Sequence, residues 1–298
     1  MNKTKAYIAA TSYSIIVGLS LLMTKVVISY SNSLLILSHR FLFAFTAYLS
    51  YIILSKKKLK IGFLNTLKML PVLAFYPIIF FGLQTVGLNY SKSSEGGIIF
   101  ATVPIITILI ETLLGHPPSK RKIVFSVVSV TGVLIIFSQS ILSINLSSIV
   151  GLSLLLLSTL SFAIYMILVK NVLAKVGLHE LTLMITLVGF LSFNLMFAWG
   201  NMGSSYLKIY FAPFSSPMYL IGILYLGIVA SVLASLFSNY ALQFIKASSF
   251  SVFSNLSTMV SILSGVIILN ETLSINHIIG IPTILIGVIG VNSSDHKK

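Results

Sequence analysis

The chain has 298 residues, of which 57% are hydrophobic and 8% charged, with 19 basic residues against five acidic ones and a formal net charge of +14. A soluble globule cannot hide that much apolar surface, and five carboxylates (Glu95, Glu111, Glu180, Glu271 and Asp295) leave most enzyme mechanisms without their acids and bases. The lack of cysteine excludes a disulfide framework and thiol chemistry.

A membrane-spanning helix needs about 20 apolar residues, because each residue rises about 1.5 Å through a hydrocarbon core of about 30 Å. With a mean hydropathy of +1.05, the chain offers ten such runs: 6–28, 33–54, 68–88, 94–114, 122–138, 148–169, 179–199, 217–240, 247–269 and 274–292. The predicted fold is therefore an all-α integral membrane protein of ten transmembrane helices. The first run is too long for a cleaved signal peptide and is followed at once by another span. The longest gap, 200–216, holds Gly, Ser and Pro.

Cytoplasmic loops of membrane proteins are enriched in Lys and Arg. With the N-terminus inside and ten spans, fifteen basic residues fall inside: Lys3, Lys5, Lys56, Lys57, Lys58, Lys60, Lys68, Lys120, Arg121, Lys122, Lys170, Lys175, Lys246, Lys297 and Lys298. Only Lys92 and Lys208 fall outside, and Lys25 and Arg40 lie within spans. The net charge is thus a topology signal and not a nucleic-acid one. It predicts a multi-pass protein of the cell membrane with both termini cytoplasmic and the lipid bilayer as its partner.

Ionisable groups within spans are expensive, by about 2.5–3.5 kcal/mol on insertion scales, so each needs a reason. In chain order, Lys25 lies near the outer end of the first span and Arg40 several residues inside the second, so both fit the outer half of one cavity. Arg40 reads as a planar fork for a substrate carboxylate or as a structurally paired charge; Lys25 reads as a second cation there or as a side chain snorkelling to the interface. His39, beside Arg40, is a candidate proton shuttle. The third span brings Phe75, Tyr76, Phe80 and Phe81 as candidate pocket walls, with Pro77 interrupting it.

Glu95, at the outer start of the fourth span, is the nearest acid for Lys25 or Arg40, either as a structural ion pair or as a coupling switch. Glu111, at the inner end of that span, either reaches the basic loop at Lys120 and Arg121 or lines the inner mouth. Tyr165 in the sixth span and Phe237 in the eighth add aromatic surface, and Trp199 reads as an interfacial anchor. In the ninth span, Ser248, Ser251, Asn255, Thr258 and Ile262 recur at steps of three and four, a mostly polar face that must turn inward. Ser94, Gly97, Ala101 and Pro104 form the corresponding small-residue face of the fourth span. These two faces are expected to meet across the centre. Glu271 ends the ninth span, where a loop-positioning role fits.

The two halves are alike. Leu88-Asn89-Tyr90, Leu113-Leu114-Gly115-His116 and Gly132-Val133-Leu134-Ile135 in the first correspond to Ala241-Leu242-Gln243-Phe244, Leu269-Asn270-Glu271 and Gly287-Val288-Ile289-Gly290 in the second. Tyr90 and Phe244 are 154 residues apart, and Gly132 and Gly287 are 155 apart. Half of ten spans is an odd number, so duplication predicts two inverted five-helix repeats, 1–144 and 145–298, with a site at their interface. Together with the Gly18 to Lys25 stretch, Arg40, Ala101-Thr102-Val103-Pro104, Ser161-Phe162-Ala163-Ile164-Tyr165, Asn255-Leu256 and Leu269-Asn270-Glu271-Thr272-Leu273-Ser274, the chain resembles the drug/metabolite transporter superfamily, EamA type. Gly115-His116 stands where that family usually has Gly-Glu, and Thr258 where it usually has Pro.

The resemblance implies a secondary transporter, an exporter, for a small organic metabolite such as an amino acid or related zwitterion. The same residues leave room for broad drug or metabolite efflux, or for a structural or signalling membrane protein. A proton is a candidate coupling ion, and no cofactor or metal is expected. No Walker-type loop, no His-Glu-x-x-His and no complete Gly-x-Ser-x-Gly occurs, so an enzyme is not expected.

The charge distribution generates the first prediction. Single cysteines replacing Lys57, Arg121 or Lys297 in this cysteine-free chain label only from the cytoplasm, and one replacing Lys208 only from outside. External labelling at Arg121 removes the ten-span arrangement.

Overall fold

A computed structural model describes residues 2–57, 59, 62–90, 99–136, 138, 149–201, 205–269 and 274–293. Among these residues there is helix and turn but no strand. The helices are α1 (Asn2–Ile28), α2 (Ser33–Leu54), α3 (Phe63–Leu73), α4 (Phe80–Tyr90), α5 (Val103–Leu113), α6 (Lys120–Ile136) and α7 (Ile149–Leu173). Then follow α8 (Leu178–Gly200), α9 (Tyr206–Phe211), α10 (Pro217–Leu224), α11 (Ala234–Phe244), α12 (Ala247–Ser251), α13 (Phe253–Leu269) and α14 (Ile275–Ser293).

Two irregular segments, a kink at Tyr76 and a wider-wound turn, join neighbours into longer rods. Ala74–Ile79 links α3 to α4, and Tyr225–Leu233 links α10 to α11. Seven stretches are then long and apolar enough to cross a membrane: Lys3–Ile28, Ser33–Leu54, Thr66–Gly87, Ile149–Leu173, Leu178–Gly200, Pro217–Phe244 and Ile275–Ser293. Each of the ten runs expected from the sequence carries helix. Three of them, however, appear as shorter described helices of 11, 17 and 17 residues, namely α5, α6 and α13. The ninth run is also divided at Val252, between α12 and α13.

Polarity is arranged for an apolar solvent. Large aliphatic and aromatic side chains such as Ile53, Leu54, Leu109, Leu113, Leu195, Trp199 and Ile289 point outward, whereas Ser14, Ser38, Thr107, Ser126, Ser158 and Thr182 are fully buried. A backbone in hydrocarbon must satisfy its own hydrogen bonds, and buried hydroxyls must find acceptors. Three of these hydroxyls return to the carbonyl one turn back, as Thr107 does to Val103 at 2.8 Å, and Ser126 Oγ has no partner among the described residues. Some instead tie helices together. Ser14 Oγ donates to the Phe253 carbonyl at 2.8 Å, and Ser158 Oγ to that of Phe80 at 2.8 Å.

Helix starts follow local chemistry. Asn32 caps α2 by accepting the Leu35 N–H at 2.9 Å. Ser216 caps α10 ahead of Pro217, whose missing N–H is not needed at a first helical position. One large core cluster threads α1 to α8 and α11 to α14 together.

The closest approach of two helices joins α6 and α14. A Cβ on Gly287 would lie 2.5 Å from the Ser129 backbone nitrogen, and one on Gly132 would lie 2.8 Å from the Gly280 carbonyl oxygen. Small residues at such crossings let backbones pack without a hydrophobic driving force. Gly287→Val therefore destabilises the protein by about 1–3 kcal/mol, the usual range for overpacking. Gly82→Ala, where nothing lies within 4 Å of the added carbon, leaves thermal unfolding in nanodiscs unchanged. Equal melting of the two variants contradicts the packing described.

Candidate functional site

Both irregular segments lie in the middle of their rods, and the side chains around them converge. In the first, Pro77 removes an amide donor, and Tyr76 leaves helical geometry with φ −142° and ψ 118°. The Phe75 carbonyl accepts both the Phe80 N–H and, at 2.7 Å, the Ser161 hydroxyl of α7. In the second, Ser231 Oγ donates to the Leu226 carbonyl, five residues back, at 2.9 Å. Such π-type turns recur at functional positions because they leave backbone groups free inside a helix.

Arg40 of α2 meets this second segment. Its Nε donates to Ser231 Oγ at 2.7 Å and its Nη2 to the Ala230 carbonyl at 3.4 Å. The guanidinium lies 4.7 Å from the Phe81 ring centre, in cation–π contact. Gly227 makes the approach feasible, since a Cβ there would sit 2.9 Å from the Arg40 carbonyl oxygen. The hydroxyl-bearing rings of Tyr13 and Tyr76 are within electrostatic reach of the guanidinium. Ser231 stands mid-way along the 217–244 rod, so Arg40 meets that rod at its middle. Arg40, Tyr13 and Tyr76 each retain accessible surface there.

An aromatic wall continues from this point. Tyr76 lies 5.4 Å from Phe80, 5.4 Å from Phe81 and 4.7 Å from Tyr165 between ring centres. Phe162 joins them, 5.2 Å from Phe80 and 6.0 Å from Tyr165. Tyr165 donates to Asn239 Oδ1 at 2.6 Å, and Ser235 lies beside the Tyr76 hydroxyl. Ser231, Ser235 and Asn239 stand at steps of four on the 217–244 rod, so one face of it presents a polar group to each of three helices. The buried Asn239 Nδ2 has no hydrogen-bond partner.

Four expected site residues, Arg40, Tyr76, Phe80 and Tyr165, thus come together. The others lie elsewhere. Asn255 is fully buried and donates from Nδ2 to Ser129 Oγ of α6 at 3.0 Å, on the side where α14 crosses. Ser251 and Thr258 each bond the backbone of their own run, to Ser248 at 3.1 Å and to Ser254 at 3.4 Å. Phe237 lines a separate cavity of about 330 Å³ at the lysine-rich end, with Lys5, Ser12, His179 and Tyr240. His39 turns away from Arg40 and is fully buried; its Nδ1 pairs with the Tyr219 hydroxyl at 2.7 Å against Phe214 and Tyr210. Glu111 sits at the lysine-rich end, where Oε1 accepts the Ser248 N–H at 3.1 Å. Glu95, Glu271, Ser94 and Gly97 lie outside the described residues, as does the side chain of Lys25.

Tyr13, Ser231, Ser235 and Asn239 were not singled out from the sequence. The step-of-four spacing of the last three is the signal that could have found them. The carboxylates among the described residues are Glu111 and Glu180, near the lysine-rich end, and neither meets Arg40.

Comparison with known proteins bears on what such a site serves. The model of the EamA-like transporter family matches residues 4–138 and again 149–293. An uncharacterized transporter of Bacillus subtilis (strain 168), YcxC, is 38% identical over all of this chain and 96% of its own length. An uncharacterized transporter of Archaeoglobus fulgidus is 25% identical over 91% of this chain and 92% of its own. One solved crystal structure covers 99% of this chain and 100% of its own, with a TM-score of 0.80 at 12% identity, a likeness of fold.

The polar ladder predicts how Tyr165 behaves. Tyr165→Phe removes the donor to Asn239 and leaves a second Asn239 group without a partner, so stability falls by about 1–3 kcal/mol. Asn239→Leu in the same background recovers part of the loss, because both polar ends are then gone. Additive losses in this double-mutant cycle contradict the pairing.

Proposed function

We propose a substrate and a route for this chain, which belongs to the EamA-like transporter family. Membership makes it a multi-pass membrane transporter with a small-molecule substrate. The proposed substrate class is an amino acid or related zwitterion, carried outward across the cell membrane without ATP hydrolysis by this chain. A proton is the proposed coupling ion.

The observation that carries the substrate class is Arg40, a half-buried cation meeting the middle of the 217–244 rod, whose protein partners are a hydroxyl, a carbonyl and an aromatic face. Two of its five N–H donors are used, which leaves donors for a bidentate carboxylate. The rings of Tyr76, Phe80, Phe162 and Tyr165 supply apolar surface for a substrate body and π faces for an ammonium group.

The proposed architecture is two inverted five-helix repeats, 1–144 and 145–298, with both termini cytoplasmic. Two things support it. Shifting the irregular segment 74–79 by the 154-residue offset lands on 228–233, inside Tyr225–Leu233. The described lysine-rich ends also gather at one pole, where Lys57 meets His179, Lys122 meets Ser249 and Arg121 meets Ser293. Paired broken helices around a mid-membrane site are the plan of many secondary transporters.

Counterflow in proteoliposomes, run with radiolabelled amino acids, tests this reading. At least one amino acid exchanges, and Arg40→Lys weakens its apparent affinity by about 1–3 kcal/mol, because lysine keeps the charge but loses the fork. Exchange of amino acids with unchanged affinity in Arg40→Lys, or no exchange of any, contradicts it.

A further inference from the structure

The cavity of about 330 Å³ at the lysine-rich end stands apart from the Arg40 site. On the 217–244 rod, Ser231, Ser235 and Asn239 face that site, whereas Leu236, Phe237 and Tyr240 line the cavity. Neighbouring residues of a helix point about 100° apart, so the rod serves the two places with different faces. Ile8 and Ala9 of α1 form a second wall, and Leu178 of α8 a third.

The cavity has a polar end and an apolar end. Helices α1 and α8 begin at the lysine-rich pole and α11 ends there, so Lys5, His179 and Tyr240 form the rim at the pole. Ile8, Ala9, Leu236 and Phe237 lie further from it. The cleft opens sideways, because Ile8 is 62% exposed. Two turns on, the exposed Ile15 of α1 and Leu233 of the 217–244 rod carry the apolar surface away from the pole.

Positive charge gathers at the rim. Lys57 Nζ donates to His179 Nε2, which takes one of the three N–H donors of the ammonium group. The same ammonium lies 5.0 Å from the Tyr51 ring centre, and His179 Nδ1 meets the Tyr48 hydroxyl at 2.8 Å. The imidazole thus fixes Lys57 beside the cavity. Lys5 stands exposed on the α1 wall. The carboxylate of Glu180, next to His179 in sequence, folds back over Gly177 and takes no part in the lining; its Oε2 lies 2.5 Å from where a Cβ of that glycine would sit.

Two cations at the mouth of an apolar cleft match the two ends of one kind of molecule. A free anion has no use for the apolar part, and a hydrocarbon chain has none for the lysines. A phospholipid with a net negative head group uses both. A zwitterionic head group brings a cation of its own, which the lysines repel. The volume is at the small end of ligand cavities, about 300–1,000 Å³, so it takes the head-group end of one chain and leaves the remainder along Ile15 and Leu233.

We infer that this cleft is a binding site for an anionic phospholipid, whose phosphate bridges Lys5 and Lys57 and whose acyl chain lies against Ile8, Leu236 and Phe237. The site goes beyond the transport reading and does not depend on the role given to Arg40.

Native mass spectrometry of the detergent-solubilised protein, titrated with dioleoylphosphatidylglycerol, tests this. The wild type retains one such lipid in preference to dioleoylphosphatidylcholine, which has the same chains. Lys5→Ala together with Lys57→Ala weakens retention by about fivefold for each charge removed, the usual worth of a lysine beside an anionic head group. Lys120→Ala together with Lys170→Ala removes the same charge from exposed positions off the cavity and leaves retention unchanged, as does Arg40→Lys.

Equal retention of the two lipids by the wild type overturns the inference, and that result requires no variant to fold. Equal loss in the two lysine pairs, the mark of diffuse attraction, overturns it too. Displacement of the phosphatidylglycerol by excess inorganic phosphate assigns the lysines to a free anion and contradicts the lipid site as well.

Discussion

A guanidinium among the rods of a membrane protein has to be compensated, and the way Arg40 is compensated organises the middle of this molecule. The insertion penalty of about 2.5–3.5 kcal/mol is met with neutral groups. These are the Ser231 hydroxyl, the Ala230 carbonyl and the face of Phe81. An ion pair would neutralise the charge and close the site. Neutral partners hold the side chain in place and leave its charge available to an incoming anion.

That arrangement requires an irregular helix. In regular helix the Ser231 hydroxyl would turn to a carbonyl three or four residues back. The wider winding of Tyr225–Leu233 sends Ser231 to Leu226 and leaves its hydroxyl and the Ala230 carbonyl facing α2. The break at Tyr76 and Pro77 does the matching service on the opposite rod, turning Tyr76 toward the guanidinium, while Ser161 adds a second donor to the Phe75 carbonyl. The site therefore stands where two rods lose regularity at the same depth. Such places are the points at which membrane helices bend with least disruption.

The helical class was legible because hydropathy reports depth directly: long apolar runs must cross or be buried. The same measure is silent about which face of a run turns inward. The ninth run drew attention by its density of polar residues, yet Asn255 joins α13 to α6 through Ser129 beside the Gly287 crossing. On the eighth run, Ser231, Ser235 and Asn239 stand at steps of four but are diluted by aliphatic neighbours, so their face drew less attention. His39 shows another limit. It adjoins Arg40 in sequence but points about 100° away, into Tyr210, Phe214 and Tyr219. Residues 205–216, which supply two of those rings, read from the sequence only as a polar gap. Arg40, Tyr76, Phe80 and Tyr165 were found because charge and ring size are conspicuous wherever they occur within an apolar run.

A charge kept for function and a charge kept for structure respond oppositely to removal. Arg40→Met keeps the length and apolar stem of the side chain and discards the cation, so thermal unfolding and counterflow of the same nanodisc-validated protein separate the two. A functional charge that burdens the fold gives a variant at least as stable as the wild type that has lost exchange, the usual relation between stability and activity at a binding site. A variant that melts lower while each folded molecule still exchanges at the wild-type rate would contradict the account.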